Sequence, residues 1–84
     1  MTEKHDQNAP TPLSEYLERR GIAAKDLGVE LAEILGWTPS SGSLSQWRTG
    51  RSAPGPAVQL ALSEVTDGEV TPIDWAQWQV SRGA

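Results

Sequence analysis

Glycine and proline cut this chain into short pieces, and that punctuation constrains its architecture more than any other feature. Thr11-Pro12 and Thr71-Pro72 both read as a helix N-cap followed by proline at the first helical position. Gly21, Gly36 and Gly50 each stand where a helical run of apolar residues stops. Within the pieces the apolar positions recur at helical spacing. Leu13, Tyr16 and Leu17 predict a helix over about 12–20, with Glu15 in its first turn and Arg19 and Arg20 in its last, as the helix dipole favours. Ala24, Leu27, Leu31, Ile34 and Leu35, with Ala32 beside them, predict a second over 23–35. Gly28 inside that run costs up to about 1 kcal/mol against alanine and reads either as tolerated or as a short break.

A turn over 37–43 follows, offering Thr38, Ser41 or Ser43 as caps for a short third helix, roughly 40–49, anchored by Leu44 and Trp47. Ala57, Val58, Ala61, Leu62 and Val65 predict a fourth over about 56–66. Asp67-Gly68 is a turn, Val70 is expected as one or two extended residues, and Ile73, Trp75 and Trp78 lie in a last helical stretch. The expected class is all-α, a compact bundle of four to five short helices. Residues 1–11 are expected as a mobile polar leader, 12–78 as the domain and 79–84 as a C-terminal tail.

With 84 residues there is room for one small core. The chain has no cysteine, which removes disulfides, thiolate nucleophiles and cysteine-based zinc sites. Its single histidine, His5, lies in the leader and reads as a spectator, so a histidine metal cluster or a Ser-His-Asp triad within one chain is excluded. Glu30 and Glu33 are close enough to suggest paired carboxylates, but no second type of catalytic group accompanies them. The expectation is a non-enzymatic protein with no cofactor, metal or small-molecule substrate. No apolar run approaches the roughly 20 residues of a membrane-spanning helix and no secretory signal is evident, so a cytoplasmic location away from membranes is expected.

The formal net charge of -4 argues against indiscriminate binding to a polyanion, but the charges are segregated. Residues 37–63 carry Arg48 and Arg51 and no acid, whereas the acidic residues all lie on either side. That same stretch has the make-up of a helix that reads DNA: an apolar side to lock it in place and short polar side chains for the major groove. Leu44 and Trp47 supply the first, and Ser40, Ser43 and Gln46 the second. A glutamine amide pairs with adenine N6 and N7, which makes Gln46 the most informative of them. Arg48 and Arg51, at the end of the helix, suit phosphate contacts, as do backbone N–H groups at a helix start.

Leu31-Ala32, Leu35-Gly36-Trp37-Thr38-Pro39-Ser40, Leu44-Ser45-Gln46-Trp47, Gly50-Arg51 and Pro54 together resemble the phage repressor and Cro type (lambda repressor-like) of helix-turn-helix. The likeness is closest to small Cro-like regulators and antitoxin-like proteins of the YdaS type, and covers roughly residues 12–75. The resemblance implies a helix-turn-helix core of Leu31, Ala32, Leu35, Gly36, Leu44 and Trp47, with Ala32 and Gly36 permitting the close helix crossing and the turn. It implies base reading by Ser40, Ser43 and Gln46, and backbone contacts by Ser41, Arg48 and Arg51. The turn from Gly36 to Leu44 is two residues longer than the family's pattern, and Ser41-Gly42 is the excess.

The implied function is sequence-specific binding of double-stranded operator DNA by a transcriptional regulator, a Cro-like repressor of phage or prophage type acting as a homodimer. The alternative is an antitoxin-like or regulatory protein-binding module that keeps the fold without specific DNA reading. Four tryptophans are many for so small a core, and Trp75 and Trp78, three apart, are read as a lid over the first helix or as a dimer contact.

Overall fold

The computed structural model describes residues 10–83. Residues 1–9, which hold His5 and most of the expected leader, and Ala84 lie outside the described residues. The described residues form an all-α bundle of five short helices with no strand. These are α1 Pro12–Arg20, α2 Ala24–Leu35, α3 Ser41–Thr49, α4 Pro56–Val65 and α5 Pro72–Gly83.

The punctuation works as its chemistry requires. Thr11 caps α1, its hydroxyl accepting from the Ser14 backbone N–H at 3.0 Å while the Ser14 hydroxyl accepts from the Thr11 N–H at 2.9 Å. At the other end Gly21 takes the left-handed conformation, φ 66°. Thr71 and Asp74 repeat the reciprocal arrangement at the start of α5, the Thr71 N–H donating to the Asp74 carboxylate at 2.8 Å. Nothing after Trp78 breaks the helix before Gly83, so residues 79–83 continue α5 where a tail was expected. Val70, expected to be extended, instead sits wholly buried in the turn between α4 and α5. Its N–H donates to the buried Thr66 hydroxyl, which itself donates to the Leu62 carbonyl.

The principal contacts close into a ring: α2 against α4, α4 against α5, α5 against α1, α1 against α3, and α3 back against α2. Inside it lie Leu13, Tyr16 and Leu17 of α1, Leu27 and Leu31 of α2, Leu44 and Trp47 of α3, Val58, Ala61 and Leu62 of α4, and Trp75 of α5. Each helix thus spends one face on two neighbours. For α3 those neighbours are α1 and α2, and its remaining face is exposed.

Candidate nucleic-acid interface

The start of α3 decides which of its side chains face outward. None of Thr38, Ser41 and Ser43 caps it; Ser40 does, its hydroxyl accepting from the Ser43 N–H at 3.0 Å. Buried Pro39 fixes the chain just before the cap. Ser41 and Gly42, the two residues in excess of the family pattern, are therefore the first two residues of the helix and extend it by half a turn.

From that start, Leu44 and Trp47 point into the core. At about 100° per residue, Gly42, Ser45, Gln46 and Thr49 lie opposite them, and all four are exposed. Ser41 and Arg48 flank that face on one side. Two of the three side chains expected to read bases are occupied otherwise: Ser40 is the cap, and half-buried Ser43 accepts from the Ser40 hydroxyl at 3.1 Å. Gln46 is central to the exposed face, and its carbonyl Oε1 accepts from the Ser52 hydroxyl at 3.1 Å. Ser45 and Thr49 complete the face. Counting 3.6 residues per turn from the Leu44 and Trp47 anchors would have found both.

Three backbone N–H groups, from Gly50, Arg51 and Ser52, converge on the Gln46 carbonyl and wrap the chain back at the end of α3. Arg51 is exposed just past this turn and Arg48 just before it. Between α1 and α3 runs an open groove of about 750 Å³, with Leu17 and Ile22 in its lining and Arg48 and Thr49 on its α3 side. Glu18 of α1 lines the same groove, so one carboxylate shares it with Arg48. Gly50, φ 87°, takes a conformation that favours glycine, and a Cβ there would come within 3.1 Å of the Trp78 ring and 3.5 Å of Thr11. Thr11 also donates to the Arg48 carbonyl, which ties the start of α1 to the end of α3.

At the crossing of α2 and α3 stands a residue outside the expected helix-turn-helix core, Gly28. Gly28 is buried and continuous with α2, with no break, and a Cβ on it would lie 2.9 Å from Leu44 Cδ1. Gly28 thus admits Leu44 of α3 at close range, and Ala32 is half-buried one turn on. Gly36 does form the turn, φ 82°, with its N–H donating to the Ala32 carbonyl at 2.8 Å. Leu31 is fully buried and Leu35 packs half-buried against the core. Measured round α2 from Gly28, the exposed carboxylates Asp26, Glu30 and Glu33 all lie about 140–160° away, on the side remote from α3. Exposed Lys25 is about 60° away, on the near side.

The tryptophans divide. Trp75 is completely buried within the protomer and offers no surface to a second copy. Trp78 is half-buried, meets Trp75 edge-on at 5.7 Å between ring centroids, and covers Gly50. Of the two readings, the lid describes this packing. Trp37 stays outside, 52% exposed. Arg19 and Arg20 both pair with Glu69 beyond α4, Arg19 at 3.0 Å. The two guanidiniums hold the Glu69 carboxyl below its ordinary range, the Arg20 hydrogen bond contributing most. Among the described residues no group of three or more His, Asp or Glu is placed to hold a metal ion, and no helix is long and apolar enough to cross a membrane. No protein-family model matches the chain, and no curated protein or solved structure matches it.

Proposed function

We propose that this protein is a sequence-specific, double-stranded DNA-binding regulator of Cro-like helix-turn-helix type, with α2 and α3 as its two helices and α3 as the reading helix. One observation carries the reading: the exposed face of α3 holds only glycine, serine, threonine and glutamine, with Arg48 and Arg51 at its end. Such a face fits a major groove sterically, offers donors and acceptors to base edges, and brings cations to the flanking phosphates. In this reading Gln46 is the principal base reader, with Ser45 and Thr49 beside it. Ser40 and Ser43 act indirectly by fixing where the helix begins. Ser41 and its backbone N–H, Arg48 and Arg51 meet the phosphate backbone. The acids of α2 are turned from α3, and Glu18 of α1 lies in the groove beside Arg48.

A second reading, an antitoxin-like protein-binding module, draws on Ile34 and Trp37, which expose apolar surface beside the α2 carboxylates.

The test is fluorescence anisotropy with a duplex from the chain's own promoter region beside a scrambled one, each across a salt series, with a random-sequence selection in parallel. The expected preference for the cognate duplex is about 4–10 kcal/mol. Gln46→Ala should erase about 1–3 kcal/mol of it at one base position. Arg48→Ala and Arg51→Ala should instead weaken all sequences alike and reduce the salt slope by about 1 each. Equal affinity for both duplexes, with no sequence enriched from the random pool, would overturn the DNA reading and favour the protein-binding one.

A further inference from the structure

Gln46 does not present the two ends of its amide equally. Gly50, Arg51 and Ser52 fold back on its backbone carbonyl, and that wrap delivers the Ser52 side chain beside its own. The Ser52 hydroxyl donates to Oε1 at 3.1 Å, while Nε2 has no hydrogen-bond partner among the described residues. Ser52 is secured on its far side as well. Ala53 packs half-buried against the core, Pro54 is buried, and the Pro54 carbonyl accepts from the Gln59 side-chain amide at 2.9 Å. The donor is therefore built into the connector between α3 and α4 and does not depend on Gln46 for its place.

We propose, on the footing that α3 reads DNA, that Ser52 is the positioning residue that sets which base Gln46 reads: guanine in place of adenine. A glutamine amide pairs with adenine by accepting from N6 and donating to N7, so both of its ends must face one base edge. Here the carbonyl end already serves Ser52. Adenine would have to share that oxygen, taking the second lone pair of an acceptor the serine is using. Guanine makes no such demand, since its N7 and O6 are both acceptors and call only on the NH2. The bond accepted at Oε1 also polarises the amide and strengthens Nε2 as a donor, because hydrogen bonds in a chain reinforce one another. Of the remaining bases, cytosine presents a donor, and thymine sets a methyl beside its single acceptor. The guanine edge is thus the one that matches the free end of the amide. Removing the Ser52 hydroxyl returns Oε1 to the groove and restores adenine pairing.

A random-sequence selection with the wild type supplies the duplex, and the position Gln46 reads is the one whose preference Gln46→Ala relaxes. Fluorescence anisotropy with each of the four bases at that position then compares the wild type with Ser52→Ala and Ser52→Thr. The wild type should favour guanine over adenine by at least about fivefold. Ser52→Ala should reverse that order, and Ser52→Thr, which keeps the hydroxyl, should preserve it, with helical circular dichroism unchanged in both. Side-chain amide NMR relaxation of the free protein is a second readout that needs no DNA. The Gln46 amide should be ordered in the wild type and in Ser52→Thr and mobile in Ser52→Ala. A wild-type preference for adenine, or a guanine preference that survives Ser52→Ala, would overturn the role of Ser52 while leaving DNA reading intact. So would a Gln46 amide equally mobile in wild type and Ser52→Ala, or an enriched site at which Gln46→Ala relaxes no position. A pool from which no sequence is enriched would overturn the DNA reading itself, and the role of Ser52 with it.

Discussion

Gly28 shows how a residue that is costly in isolation becomes necessary through its neighbour. In a helix interior glycine is worse than alanine by about 1 kcal/mol, which is all that local propensity registers. What propensity omits is the Leu44 methyl 2.9 Å from where a Cβ would stand. Leu44 is itself buried, so any shift of its methyl must be made within the core. Gly28→Val should therefore lower stability by about 1–3 kcal/mol through overpacking. Leu44→Ala alone should cost about 2–5 kcal/mol through the cavity it leaves. Because each change makes room for the other, urea unfolding of the double variant should lose at least about 0.5 kcal/mol less than the sum. Strict additivity would mean that the two residues do not share the space. The contact was hidden in the sequence because it joins two helices across a turn, whereas Gly36, whose role is a positive φ within its own turn, was legible there.

The position of α3 depends on its cap as well as its anchors. Leu44 and Trp47 were recognisable from their spacing, and so was Gly50 as the stop, but a stretch with serines at 40, 41 and 43 gives local chemistry several equivalent starts. The choice falls to Ser40, directly after buried Pro39, and no single-residue preference separates it from its neighbours. The consequence for the candidate interface is a change of cast. Ser40 and Ser43 become the frame, and Ser45 and Thr49 join Gln46 on the outward side. The same logic explains why α1 and α5 could be delimited at their starts from Thr-Pro, where one cap is plainly best, while the end of α5 carries no breaker to mark it. Ser40→Ala should cost about 1 kcal/mol in thermal or urea unfolding, and Ser41→Ala, already inside the helix, close to nothing. Equal losses from both would return the cap to a mixture of starts.

Among the described residues one cluster of charges fastens the ring of helices. Glu69, in the turn between α4 and α5, receives Arg19 and Arg20 from the end of α1, so the ion pairs join the first helix to the last two. This engagement gives both arginines a carboxylate partner at the far end of α1, whereas Arg48 and Arg51 are exposed at the end of α3. The pairing holds the Glu69 carboxyl below its ordinary value of 4.5, through the Arg20 hydrogen bond first and the Arg19 bond next. A carboxyl whose folded value is depressed contributes stability that is present above its unfolded value and lost as pH falls through the folded one. Lowering the pH from neutral should accordingly leave the contribution intact until near 4.5 and remove it below, as the native carboxylate is forced to take a proton that the unfolded chain accepts more readily. Glu69→Gln cannot make this transition. Thermal unfolding at low salt, where exposed ion pairs are least screened, should show wild type more stable than Glu69→Gln at neutral pH. The two should converge as the pH drops beneath the carboxylate range. A gap of constant size down to the most acidic folded condition would show that Glu69 stabilises by packing alone and that its two arginines remain available to other partners.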